Sequence, residues 1–356
     1  MLNYLEILKW YEASYDKEVV GLQITVEDIK PFIFNKTKLI TNEVGKSDEN
    51  ESIFSLKIGS GSKKVLIWSQ MHGNESTGTK AILDLISFFE SIHFELIKDQ
   101  LFKELTIQFI PILNPDGARA YTRENADGID LNRDAVDLKA KESQLLNTIL
   151  YDFKPDFCFN LHDQRTIFNV EGTQNPATIS FLAPSVDKKR TLTESRKKTM
   201  SVIVSMNQLL QQIIPNQVGR YTDEFYPNAT GDNFQKAGFH TILVEAGHFK
   251  DDYDREEVRK FNFLALLQGL YFIATTQNFD NYLPYFDIPN NDKQFFDVIY
   301  KNTFYENKIQ DVAFQYKYKL INNKLEKSLE LEKVGDLSSY FGHFEKNFNG
   351  NSFSLV

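Results

Sequence analysis

The chain has 356 residues, 42% of them hydrophobic and 13% aromatic, enough to bury a sizeable core, so one large domain with a small appendage suits the length better than a string of modules. A formal charge of −9 with no long basic run argues against a chain-wide nucleic-acid footprint. The single cysteine, Cys158, excludes an intramolecular disulfide, and its setting in the apolar run FCFNL predicts a buried, inert thiol.

In chain order, the first twenty residues carry acids throughout and have no basic start before an uninterrupted apolar core, so they read as an amphipathic helix rather than a secretion signal. No later stretch is long and apolar enough to span a membrane, and the expected location is cytoplasmic. Apolar runs bounded by turn residues then predict strands at KKVLIWSQ (63–70), LTIQFIPI (105–112), DFCFNLH (156–162), TISFLAP (178–184) and HTILVEAG (240–247). Helical patterns fall between them. Ile82, Leu85, Ile86 and Phe89 keep one helical face, and two further long helices are expected over 191–214 and 256–276. The alternation predicts an α/β sandwich. From about residue 281 the texture changes. Val312, Phe314, Tyr316, Tyr318 and Leu320 alternate with polar neighbours as in a half-buried strand, and Asn322-Asn323 offers a turn into KLEKSLELEK. The expected division is a catalytic domain over 1–280 and a small β-rich appendage over 281–356.

Three polar groups stand at strand ends. His72 lies just beyond the first predicted strand and Glu75 at the start of the following helix, and His162 ends the third. Two imidazoles and a carboxylate, with a fourth position left for water, make the ligand set of a catalytic rather than a structural zinc site. The loop NPDGARAYTRENADGIDLNRD places Arg123 and Arg133 in one stretch, with Asn132 beside the second: a planar fork for a carboxylate and a separate cation for a developing oxyanion. Glu245 ends the last strand, where a buried carboxylate is costly without a task and can serve as a general base.

HGNE, NPDG, TRENADGIDLNRD, NLHDQ and VEAGH, in this order, resemble the zinc metallocarboxypeptidases of the carboxypeptidase A type over roughly residues 40 to 275. The resemblance implies a three-layer α/β/α sandwich on a mixed, twisted sheet. It implies one zinc ion per chain, with His72, Glu75 and His162 as ligands and Asp130 orienting a ligand imidazole. Glu245 would be the base, Arg123 the oxyanion stabiliser, and Asn132 with Arg133 the clamp on a substrate's terminal carboxylate. The activity implied is hydrolysis of a C-terminal peptide bond, zinc activating the water whose proton Glu245 takes. The tyrosine that closes over substrate falls on Tyr226 or Tyr221. Asp232 falls in the stretch resembling the specificity pocket, although TGDN also reads as a turn. His248 could reach the site rim, while His93, His240 and His343 read as structural. The expected partner is a peptide or, if the chain acts like the related succinylglutamate desuccinylase and aspartoacylase group, an N-acyl amino acid. A catalytically inactive peptide-binding module is the third reading. Neither nucleic acid nor membrane is an expected partner, and the oligomeric state stays open.

Overall fold

The computed structural model describes residues 2–37 and 39–353. Its strands are β1 (Ile40–Lys46), β2 (Ser52–Gly59), β3 (Lys63–Trp68), β4 (Leu105–Ile110), β5 (Phe157–Asp163), β6 (Asn169–Val170), β7 (Ile179–Leu182), β8 (Val218–Arg220), β9 (His240–Ala246), β10 (Asn291–Asp292), β11 (Phe295–Tyr305), β12 (Lys308–Ile321), β13 (Lys324–Gly335) and β14 (Phe341–Asn347). Among the described residues, eight of them form a mixed sheet in the order β1-β2-β4-β3-β5-β9-β7-β8.

The middle of this sheet, β4-β3-β5-β9, is parallel, and its strands are apolar on both faces. Val65 and Ile67 pack into one core together with the helices Tyr4–Ser14, Thr77–Glu90, Glu194–Leu210 and Glu256–Thr275, whereas Leu66 and Trp68 pack into another beside the helix Lys141–Phe153. A strand buried on both sides reads as a continuous apolar run for this reason. All five strands expected from such runs are present. The hairpin β1–β2 was not foreseen, because β1 is largely exposed at the sheet edge and its sequence carries no alternation. Cys158 is fully buried, as expected. Among the described residues, no helix is long and apolar enough to cross a membrane.

A second sheet, β13-β12-β11-β14, follows. Asn322 and Asn323 both adopt positive φ, 51° and 58°, between β12 and β13, the conformation that a two-residue hairpin turn needs. Val312, Phe314 and Tyr316 pack with Val298, Tyr300 and Leu329 of their own sheet and with Phe353 beyond its last strand. Gln315 Nε2 donates to Thr166 Oγ1 at 2.5 Å and His343 Nε2 to Thr166 O at 2.8 Å, which fastens this sheet to the loop after β5.

Candidate metal centre

Because β3, β4, β5 and β9 are parallel, their carboxyl ends open on one edge, where the sequence-predicted polar residues gather. The loops after β3 and β4 are locked to each other. Asn114 N–H donates to Gln70 O at 2.9 Å, Asn114 Nδ2 to Met71 O at 3.2 Å, and Asn74 N–H to Thr122 O at 3.1 Å. Gly73 and Gly117 meet so closely that a Cβ on Gly73 would stand 1.9 Å from the Gly117 carbonyl carbon. The glycine of HGNE is thus required by the approach of two backbones, while a Cβ on Gly117 would stand 2.5 Å from Asn114 Nδ2 and 2.6 Å from Glu124 O. The loop after β3 is tied to β5 as well: Asp163 N–H donates to Glu75 Oε2 at 3.1 Å, and Asp163 Oδ2 accepts from the Thr77 hydroxyl at 2.8 Å.

These ties bring His72, Glu75 and His162 together, with one potential ligand atom from each lying within 4.8 Å of the others. His72 Nδ1 is 2.9 Å from Glu75 Oε1 and 3.1 Å from His162 Nδ1, which is itself 2.8 Å from Glu75 Oε2. His72 Nε2 lies 3.1 Å from Asp130 Oδ1, so the carboxylate takes the Nε2 proton and leaves the Nδ1 lone pair turned to the cluster. The set fits zinc. Ligands at ~2.0–2.1 Å from a tetrahedral ion stand about 3.3 Å from one another, close to these separations. Burial draws the His72 pKa down, but Glu75 and Asp130 outweigh it and the net direction is upward; for His162 burial wins and the pKa falls. Burial also opposes ionisation of Glu75 and Asp130, but the neighbouring imidazoles hold both carboxyls below their ordinary values.

Glu245 pairs with His162 across β5–β9 and lines the same cavity, of about 930 Å³, as Asn132, Arg133, Tyr221, Tyr226 and Asp232. Burial, followed by the charges of Glu75 and Asp163, pushes its pKa well above the usual carboxylate range. Arg123 donates through Nε to Asp130 Oδ2 at 2.9 Å, and its Nη1 lies 3.3 Å from His72 Nδ1. Asn132 Oδ1 accepts from Thr230 N–H at 3.0 Å, which fixes the side chain beside Arg133. The Tyr226 ring stands 5.9 Å from the Arg133 guanidinium, is 46% exposed and donates its hydroxyl to Glu224. Tyr221 is mostly buried, packs edge-on to Phe168, and burial and the charge of Glu245 raise its pKa. Both tyrosines therefore border the cavity, Tyr226 from its surface.

Asp232 is not in a turn: it sits in the first turn of the helix Thr230–Lys236, buried, with Oδ1 accepting from Tyr226 N–H at 3.1 Å. Burial lifts its pKa to about 6. His248 does not line the large cavity but borders a smaller one beside it, and packs on His343, ring centres 4.0 Å apart. Sequence reasoning passed over Asp163 and Arg165. Their one signal was position, directly after His162 at a strand end. Arg165 lines both the large cavity and a smaller neighbour of about 330 Å³.

Residues 35–178 match the family model described as zinc carboxypeptidase. Over this stretch the chain is similar to the zinc carboxypeptidases. The matched stretch contains His72, Glu75, Arg123, Asn132, Arg133 and His162, and it ends before Tyr226 and Glu245. Among relatives of this carboxypeptidase homologue, a probable carboxypeptidase 2 of Trichophyton verrucosum is 24% identical over 162 residues, 45% of this chain. Carboxypeptidase SOL1 of Arabidopsis thaliana is 25% identical over 142 residues, 36% of this chain. In both cases the chain spans only 29% of the relative's length. The fold of carboxypeptidase A from Helicoverpa armigera superposes with a TM-score of 0.55 at 16% identity, covering 77% of this chain and 81% of that one. For a metallo-carboxypeptidase from Burkholderia cenocepacia the TM-score is 0.54 at 16% identity, covering 70% and 68%.

Proposed function

We propose that the protein is a zinc-dependent carboxypeptidase that hydrolyses the C-terminal peptide bond of a peptide, with one zinc ion held by His72, Glu75 and His162. The observation that carries this reading is the convergence of those three ligand atoms at a cavity that also holds Glu245, Asn132 and Arg133. A zinc ion bound there would polarise a carbonyl and acidify water. Glu245 accepts the proton of the attacking water and delivers it to the leaving nitrogen. Its place on the cavity wall, paired with His162 across β5–β9, suits both steps. Arg123 faces the charge that develops on the carbonyl oxygen, and Asn132 with Arg133 binds the terminal carboxylate. Tyr226, at the cavity surface over Arg133, closes on the substrate.

The test is a panel of peptides with free or amidated C-termini, together with N-acyl amino acids, with and without a chelator. Free peptides should be cleaved, amidated ones spared, and chelation should abolish turnover. Glu245→Gln should lower kcat by a factor on the order of 10² or more while zinc stays bound. Near-normal turnover in that variant would remove Glu245 from the reaction. Turnover confined to N-acyl amino acids would make the protein a deacylase.

A further inference from the structure

Two cavities adjoin beside the metal cluster. Glu75, Arg123, Asp163, Gln164 and Arg165 line both, so the cavities meet at Glu75, whereas His72 and His162 line only the larger one. Asn132, Arg133, Tyr226 and Glu245 line only the larger one. If the terminal carboxylate is clamped there, the departing residue occupies the large cavity and the rest of the substrate extends to the other side of the cluster. The smaller cavity lies on that side.

The far wall of the smaller cavity comes from the second sheet: Gln315, Tyr316, Lys317 and Tyr318 of β12, with Asp297 of β11 behind them. β12 lies inside its sheet, paired with β11 and β13, so its backbone is already used and a substrate cannot be added as another strand. It offers side chains only. The wall is also fixed. Asp297, 1% exposed, accepts from the Tyr253 hydroxyl at 3.0 Å, from Gln315 Nε2 at 2.6 Å and from Tyr316 N–H at 2.8 Å, which holds β12 against the loop before the helix Glu256–Thr275. At about 330 Å³, the space is near the lower end of small-molecule sites.

We infer that this smaller cavity is the acyl-side subsite and that β12, through Tyr316, Lys317 and Tyr318, limits the enzyme to short peptides, with about one or two residues before the scissile bond. The inference rests on the carboxypeptidase reading for the direction in which the substrate lies. It assigns the second sheet the task of selecting substrates by length.

Binding tests it apart from turnover. In zinc-loaded Glu245→Gln protein, calorimetry would compare peptides that share one C-terminal residue and grow at the amino end from a dipeptide to about a heptapeptide. Affinity should be best for the di- and tripeptides and fall by about tenfold, near 1.4 kcal/mol, at the longest. Adding Tyr318→Ala should reduce that fall to a few-fold, while Tyr318→Phe should keep it. Affinity that stays flat or rises with length overturns the inference, as does an unchanged fall in a folded Tyr318→Ala protein. If the alanine variant does not fold, the length series on the parent decides alone. Length-dependent binding without turnover by the wild type would fail the catalytic reading and leave the subsite standing. Failure of every peptide to bind overturns both.

Discussion

His72 is held at both ring nitrogens, by Glu75 and His162 on the cluster side and by Asp130 behind. Asp130 has three tasks at once, since its oxygens also accept from Asn132 N–H at 2.8 Å and from Arg123 Nε at 2.9 Å. Removing it frees the imidazole to turn and unfastens the arginine. Asp130→Ala should therefore weaken zinc binding by about 10–100-fold, read by competition with a chromophoric chelator. Equal affinity in the variant would show that packing alone orients His72. The three clustered residues were legible as candidate ligands because His and Glu at the ends of apolar strands stand out in the sequence. Arg165 and Tyr318 were not, because nothing near them in sequence says that they border a cavity.

Two helices on one face of the sheet are joined by a buried ion pair. Arg259, in Glu256–Thr275, gives Nε to Asp84 Oδ2 at 2.8 Å and Nη2 to Asp84 Oδ1 at 2.7 Å, both side chains being fully buried in the helix layer. Asp84, in Thr77–Glu90, also accepts from the Tyr11 hydroxyl at 2.9 Å, and Arg259 Nη1 reaches Val19 O, so the N-terminal segment depends on the same pair. Asp84→Ala leaves the buried guanidinium with Glu256 Oε2, at 3.0 Å, as its remaining carboxylate partner and should cost about 3 kcal/mol, measured by urea denaturation. A loss under about 1 kcal/mol would show that the arginine finds other acceptors. The helix Thr77–Glu90 was visible in its apolar spacing, whereas the partner of Asp84, 175 residues away, was not. The hairpin at Asn322-Asn323 was visible for the opposite reason, since its turn is specified by two adjacent residues.

The whole molecule keeps several histidines uncharged. Burial lowers the pKa of His240 to about 4, that of His248 to about 2, and that of His343 as well. His248 and His343 stand ring to ring where the loop after β9 meets β14, with Arg255 adding to the positive field on His248. An unfolded chain takes up these protons near pH 6.5. Below that value it binds more protons than the folded one, so stability falls as pH drops from about 6.5 toward the lower folded values. The unfolding midpoint in urea should decline over that range, and His248→Phe should make the decline shallower. A midpoint that held steady down to pH 4.5 in the wild type would show that these histidines stay as basic in the fold as outside it.

Much of the part built on the eight-stranded sheet was settled by local sequence. Buried parallel strands need continuous apolar runs, glycines are needed where two loop backbones touch, and a histidine or glutamate at a strand end falls on the edge where parallel strands open. Those patterns gave five strands of the main sheet, the flanking helices and the residues that meet as the candidate metal cluster. The second sheet showed itself as a strand and a turn, but its place did not follow from the chain. The bonds from Gln315 and His343 to Thr166, and the cavity between β12 and Glu75, depend on groups more than a hundred residues apart. Such contacts leave no local period or spacing in the sequence. Only the packed structure decides that β12 stands beside the cluster, because what fixes it there is the burial of Asp297 with three donors, two from β12 and one from Tyr253 in the loop after β9.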